Sequence, residues 1–144
     1  MPFKYERPAE STGFSLWRVH NEWQKRLREK LEPLDLTHVQ FIILAGLAWL
    51  SINEKHVTQI MIAKHTDIDV MMASVVIRKL EKKEFIVRQD HPTDTRAKLL
   101  VLTTLGVARF QEAMRIVEDF DQSFFSVLSD KERVFNELLN KMVS

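Results

Sequence analysis

Apolar residues recur every three or four positions along most of the chain, and this spacing predicts amphipathic helices. Residues 1–12 contain two prolines and show no such period, so we expect an extended arm there. A first helix then runs until Pro33 ends it, with its stripe at Leu16, His20, Trp23, Leu27 and Leu31. The capping box Thr37–Gln40 opens a second helix, apolar on nearly all sides from Val39 to Leu50, which we expect inside the molecule.

The next stretch predicts two short helices joined by a turn. Thr58 and Asp69 stand where the two helices would be capped, and the polar run 65–67 separates them. We expect the first to pack through Ile60, Met61 and Ala63. The second has a stripe spaced by three and four that should be buried, formed by Ala73, Val76, Ile77 and Leu80.

The opposite face of the second short helix has an unusual composition. At about 100° per residue, the side chains that point away from the buried stripe are Met71, Ser74, Val75, Arg78 and Lys82, with Val70 and Lys79 on its borders. Solvated helix faces are usually dense in Glu and Lys, whereas the first half of this face is compact and weakly polar. This composition predicts a face that another molecule covers. We expect Met72, next to the buried stripe, to pack inside.

After Glu84 the apolar period changes from 3.6 to 2, which predicts a β-hairpin. Its strands are Ile86–Arg88 and Leu99–Leu102, and Arg96 lies in the loop between them. A helix that enters a groove about 12 Å wide, beside a hairpin with a basic tip, suits recognition of both grooves of duplex DNA.

Two more helices are predicted at the C-terminus. Thr103 or Thr104 can cap a long one of about twenty residues, with its stripe at Phe110, Ala113, Val117, Phe120 and Phe124. A capping box at Ser129–Glu132 opens the last one, which carries Phe135, Leu138, Leu139 and Met142 on one side. Since the chain has too little surface of its own to bury both stripes, we expect a homodimer formed by the first helix and the last two.

Four segments in fixed order resemble the MarR family of winged-helix transcriptional regulators over nearly the whole chain. They are IAKHTDID at Ile62–Asp69, RKLEKK at Arg78–Lys83, Asp94-Thr95-Arg96 in the hairpin and LTTLG at Leu102–Gly106. The resemblance implies a mainly α fold with about six helices and a β-hairpin wing around a winged helix-turn-helix. Residues 37–102 would form the DNA-binding module, and residues 13–36 and 103–144 would be dimerisation helices.

The resemblance also implies roles for particular residues. The wing arginine of the family enters the minor groove and a neighbouring Asp orients it, which assigns these roles to Arg96 and Asp94. With the exposed face of the second short helix, the candidate DNA-binding residues are Val70, Met71, Ser74, Val75, Arg78, Lys79, Asp94 and Arg96. The sequence departs from the family at Glu84, where Gly is usual, and at Val75, where many members carry a polar or basic residue. Val75 can touch a thymine methyl but cannot form a bidentate hydrogen bond.

By resemblance the protein is expected to be a repressor that binds a pseudo-palindromic operator as a homodimer. A small aromatic or phenolic effector, bound between the dimerisation helices and the winged module, would relieve repression. No motif marks its pocket, and the aromatic residues that could line it are equally consistent with core packing: Trp17, His20, Trp23, His38 and Trp49.

Charge and composition narrow the classes of function. The net charge of +1 excludes an indiscriminate, strongly basic nucleic-acid binder. Residues 56–103 hold eight Lys and Arg against six Asp and Glu, while residues 104–144 hold five against seven, which agrees with DNA at one end. The chain has no cysteine, so disulfides, cysteine-based zinc sites and thiol switches are excluded. Five histidines lack a compact metal-ligand spacing, so neither a metal nor another cofactor is predicted.

Two other classes of function compete with a DNA-binding regulator. Catalysis is not expected, because no Ser-His-Asp order, glycine-rich phosphate loop or pair of acids in an apolar setting is present. A winged helix that binds protein instead of DNA is the alternative, and the apolar residues Val70, Met71 and Val75 favour it. The sequence has no run of 18 apolar residues and no signal-peptide pattern, so we expect a cytoplasmic protein without membrane contact.

Overall fold

The computed structural model describes residues 2–144, which form six α-helices and one antiparallel hairpin. Three 3₁₀ turns, at Pro8–Glu10, Glu32–Leu34 and Ser126–Lys131, lie between or beside them. The elements are α1 (Thr12–Leu31), α2 (His38–Asn53), α3 (Gln59–Thr66), α4 (Val70–Lys82), β1 (Ile86–Asp90), β2 (Lys98–Leu102), α5 (Thr104–Phe125) and α6 (Glu132–Val143). The predicted mainly helical fold with a hairpin wing is confirmed.

Side-chain caps begin most of these helices where the sequence predicts them. The Thr37 hydroxyl accepts a hydrogen bond from the Gln40 backbone N–H at 3.2 Å, and the Gln40 side chain accepts one from the Thr37 N–H at the same distance. Thr103 accepts from the Gly106 N–H at 2.9 Å and so caps α5. The predicted cap at Ser129 is wrong. Ser129 has φ 52° and ψ −128°, outside the extended region that an N-cap needs, and α6 begins only at Glu132 without a side-chain cap.

The apolar helix α2 lies at the centre of the fold, as predicted. It contacts α1, α3, α4 and α5, and buries Phe41, Ile43, Leu44 and Leu47 among them. Within residues 2–144, no single helix is both long and apolar enough to cross a membrane; α1 with its following turn and α2 reach that length only as a pair bent by 75°.

Two apolar residues predicted to pack are exposed. Ile60 is 58% exposed, because α3 turns Ile62 and Ala63 towards the core instead. Met72 is 55% exposed, because the first turn of α4 turns Ala73 towards the core instead. The predicted stripe Ala73, Val76, Ile77 and Leu80 is buried throughout.

A tight joint connects α4, the hairpin and α5. The Phe85 carbonyl oxygen accepts a hydrogen bond from the Thr103 N–H at 3.1 Å, and the Thr103 hydroxyl donates to the Glu84 carbonyl at 2.6 Å. Glu84 adopts φ 65°, the left-handed conformation that glycine would adopt without steric cost. The turn therefore has the conformation for which the resemblance implies Gly. Adopting it with a Glu side chain costs about 1 kcal/mol.

Gly106 is required at this joint because the α5 backbone approaches Phe85 so closely. A Cβ atom at position 106 would lie 2.0 Å from the Phe85 carbonyl oxygen, a distance that no side-chain movement can relieve. Close packing of α5 against Phe85 therefore explains the glycine of the LTTLG segment.

We expect Gly106→Ala to lower the free energy of unfolding by about 2 kcal/mol or more, because the new methyl group forces α5 away from the hairpin. Gly13→Ala is the matched control, since a Cβ at position 13 meets nothing within 4 Å. The control should change stability by less than about 0.5 kcal/mol. Urea denaturation of both variants measures the difference, and equal stabilities would show that the joint is not rigid.

Candidate nucleic-acid interface

A three-residue turn sets α4 relative to α3. Asp67 ends α3 in the left-handed conformation, with φ 55° and ψ 30°, and the Ile68 N–H then donates to the Ala63 carbonyl at 3.2 Å. The Asp69 carboxylate accepts hydrogen bonds from the Met71 and Met72 N–H groups at 3.1 and 3.2 Å. Each end of the turn thus provides hydrogen-bond partners for backbone groups that have none within the adjoining helix. The element is a helix-turn-helix with α4 as its second helix.

The residues predicted on the outer face of α4 lie together there. Met71 is the most exposed at 78%, Val70 and Val75 are about half exposed, and Ser74 is half-buried between them. Arg78 and Lys79 continue the same surface and are exposed. Within residues 2–144, neither forms an ion pair with an acidic side chain. The face is therefore small and apolar towards its N-terminal end and cationic towards its C-terminal end.

The hairpin forms a wing that is fixed to the start of the helix-turn-helix. Its strands pair from Ile86 with Leu102 to Asp90 with Lys98. The segment before α3 adds a short third edge, where the Leu100 N–H donates to the Val57 carbonyl at 2.8 Å and Thr58 bridges Leu99. The hairpin is therefore hydrogen-bonded directly to the segment that leads into α3.

The wing tip presents Arg96 to solvent. The Asp94 carboxylate accepts a hydrogen bond from the Arg96 backbone N–H at 3.0 Å and lies 3.5 Å from its Nε atom. The Arg96 side chain remains 91% exposed, so the contact orients the guanidinium without covering it. This is the arrangement of Asp94 and Arg96 that the resemblance implies.

Sequence patterns do not single out His91, whose Nδ1 atom is the acceptor at the centre of the tip. It accepts the Thr93 N–H at 3.2 Å and the Asp94 N–H at 3.0 Å. The signal that could have pointed to His91 is its position, two and three residues before the backbone amides of a Pro-containing turn. Asp and Asn commonly accept hydrogen bonds from such amides, whereas His does so rarely.

Ion pairs neutralise most other charges near the wing. Arg88 on β1 pairs with Glu81 of α4 at 2.5 Å, and Lys98 pairs with Asp90 across the strand ends. The hydrogen bond and the positive charge of Lys98 lower the pKa of the exposed Asp90 carboxyl below its ordinary value. Because these cations are partnered, the positive charge available to a ligand is concentrated at Arg78, Lys79 and Lys82 on α4 and at Arg96 on the wing.

A groove of about 680 Å³ connects the wing to the N-terminal end of α4. Val70 lies on its helical side, and Asp94 and Arg96 lie on its wing side. The exposed Ile60 also lines it. The structure therefore brings three of the predicted residues to one concave surface, while Met71, Ser74, Val75, Arg78 and Lys79 follow along α4.

A helix-turn-helix with a hairpin wing packed beside its second helix defines the class of winged helix-turn-helix DNA-binding proteins. The MarR family profile matches residues 36–98, the part of the chain that holds these elements. The chain belongs to the MarR family of transcriptional regulators.

Similarity to known proteins extends over nearly the full length. The chain is 39% identical over 135 residues to the uncharacterized HTH-type transcriptional regulator YdcH of Bacillus subtilis (strain 168), covering 94% of this chain and 92% of that protein. Bordetella bronchiseptica BpsR, solved in a study of how 6-hydroxynicotinic acid regulates its DNA binding, superposes with a TM-score of 0.85 at 27% identity, over 100% of this chain and 99% of that one. The S. aureus MepR–DNA complex superposes with a TM-score of 0.83 at 27% identity, over 95% and 97%.

Proposed function

We propose that this MarR-family regulator is a repressor that binds a pseudo-palindromic operator as a homodimer. The observation that carries the proposal is the continuous surface formed by the outer face of α4, the groove and the exposed Arg96. Such a surface has the shape and charge to follow a major groove and the minor groove next to it. The DNA-bound structure of MepR, which shares this fold over nearly its whole length, supports the same use here.

The proposed homodimer rests on apolar surface that one chain leaves exposed. In α6 no residue is buried, and Val134, Leu138 and Met142 are more than half exposed. In α1, Leu16 and Trp17 are also more than half exposed. An isolated chain would leave this surface in water, whereas a twofold axis between two copies removes it from water on both sides. We therefore assign residues 13–36 and 103–144 to dimerisation and residues 37–102 to DNA binding.

Light scattering should give a mass twice the 17.0 kDa of one chain. Leu138→Glu should shift the mass towards one chain, because it places a charge on the proposed interface. Asn136→Glu on the exposed polar side of α6 is the matched control and should remain dimeric. A wild-type mass of 17.0 kDa, or equal masses for both variants, would contradict this interface.

In the proposed complex each α4 enters a major groove, with the two copies about 34 Å apart, or one helical turn. Val70, Met71, Ser74 and Val75 form the part of α4 small enough to approach base edges, and Val75 suits a thymine methyl. Arg78 reaches a guanine or a nearby phosphate, Lys79 a phosphate, and Arg96, oriented by Asp94, enters the flanking minor groove.

Arg96→Ala and Arg78→Ala should each weaken binding to a duplex selected from random DNA by the wild-type chain. We expect a loss of about 1–3 kcal/mol for Arg78 if it contacts a guanine, and a loss of similar size for Arg96. Arg115→Ala removes an exposed arginine from α5 and should bind as the wild type does. Fluorescence anisotropy titration measures all three, and wild-type affinity in both interface variants would remove these roles.

The exposed side chains of Met71, Met72 and Val75 also favour the second candidate, a winged helix that binds protein. Salt separates the two candidates within the same titrations. DNA binding through several phosphates weakens steeply as salt rises, whereas apolar contact with a protein persists. Selection from random DNA that yields no enriched duplex would favour the protein-binding alternative.

A cleft of about 530 Å³ supports the proposed effector. It lies between α2, the end of α3 and α5, and its walls are mostly apolar, with Trp49, Phe110 and Met114 among them and His65 at its edge. Aromatic walls with one polar group suit a small aromatic acid or phenol. Of the aromatic residues predicted from the sequence to be possible lining residues, Trp49 lines this cleft, while Trp23 and His38 pack edge to face between α1 and α2.

Hydroxylated aromatic acids such as 6-hydroxynicotinic acid should release the selected duplex from the wild-type protein. Ala45→Trp fills the cleft and should abolish this release while DNA binding without the acid is retained. Anisotropy with increasing acid provides the measurement. Equal release from the wild type and the filled variant would place the effector elsewhere.

A further inference from the structure

The chain from His91 to Ala97 reverses direction at the wing tip, between β1 and β2. Its hydrogen bonds are local: the Ala97 N–H donates to the Asp94 carbonyl at 3.2 Å, and Asp94 accepts the Arg96 N–H. These bonds fix Arg96 relative to Asp94, but they do not fix Asp94 relative to the strands. The two bonds accepted by His91 Nδ1, from Thr93 and Asp94, make that connection.

His91 is itself held from the other side by His56. The two imidazole rings lie 5.3 Å apart between centroids and are tilted by 50°. His56 immediately precedes Val57, whose carbonyl accepts the Leu100 N–H, so its ring is attached to the third edge of the wing. Its Nδ1 atom is buried and has no hydrogen-bond partner within residues 2–144. The contact of His56 with His91 is therefore one of ring packing.

We propose that His91 is the positioning residue of the wing: its Nδ1 atom, held in place by the His56 ring, accepts the Thr93 and Asp94 N–H groups and thereby fixes the carboxylate that orients Arg96. This role rests on the proposed function of Arg96 in DNA binding. It requires the neutral imidazole with its proton on Nε2, because a protonated ring has no acceptor. Arg96 is then presented in one orientation before DNA arrives, which lowers the entropy lost on binding.

Two substitutions separate the acceptor from the ring. His91→Phe keeps a ring against His56 but removes the acceptor, and should weaken binding to the selected duplex about tenfold. His91→Asn removes the ring but supplies an oxygen that can accept the amides two and three residues ahead, and should recover most of that loss. Wild-type affinity in His91→Phe, or an equal loss in both variants, would overturn the proposal.

A double substitution tests whether the effect passes through Arg96. If His91 acts by positioning Arg96, adding His91→Phe to Arg96→Ala should cause little further loss, because the positioned group is already absent. The same tenfold loss in both backgrounds would instead show that His91 contacts DNA directly or supports the fold, and would overturn the proposed role.

An experiment without DNA tests the hydrogen bonds of His91 independently of the proposed function in DNA binding. In hydrogen-exchange NMR of the free protein, the Thr93 and Asp94 amide protons of the wild type should exchange with solvent more slowly than those of His91→Phe, because His91 Nδ1 accepts both. His91→Asn, which supplies another acceptor, should restore most of this protection. Equal exchange rates in the wild type and His91→Phe would overturn the hydrogen bonds. A wild-type protein that shows the protection but binds no duplex would contradict the proposed function alone.

Discussion

The carbonyl oxygen of Phe85 lies where a side chain at position 106 would have to be, and it accepts the N–H of Thr103 at 3.1 Å. This one contact joins the end of α4, the first strand of the wing and the start of α5. Through it the direction of α4 is coupled to the long helix that leads to the proposed dimer axis. Since protein interiors are densely packed, we expect a displacement at either end of α5 to move the hairpin and α4 as well.

The charges around the wing show how a protein with a net charge of only +1 can present a cationic surface. Arg88 and Lys98 carry their charges beside acidic partners, and Lys83 is held between the Asp35 carbonyl and the Gln40 side chain. Arg96 contacts Asp94 more loosely and remains open to solvent. The potential near a phosphate backbone is therefore set by a few positions on α4 and at the wing tip, and hardly by total charge. Such a protein is suited to selective binding, because little nonspecific attraction competes with it.

The elements that could be predicted from the sequence are those with one strong pattern. The stripe on α4 has a clear three-and-four spacing, and the outer face followed from it. In α3, four of the five residues from Ile60 to Lys64 are apolar, so their spacing does not determine which side of the helix is buried. The prediction that Ile60 packs inside is wrong for this reason. Ser129 matches a capping box in its letters, but its backbone conformation is set by the turn between α5 and α6. The role of His91 depends on a ring contact with a residue 35 positions earlier in the chain, which no local pattern reveals.

The exposed surface of α6 has a thermodynamic consequence. Val127 and Val143 are more than 80% exposed in one chain, at either end of the region that would meet a second copy. If that region is ordered only by association, folding and assembly share one equilibrium, and the melting temperature rises with protein concentration. Occupancy of an operator would then depend on the square of the monomer concentration whenever the dimer is scarce, so that a modest change in synthesis would switch a regulated gene more sharply than a monomeric regulator could.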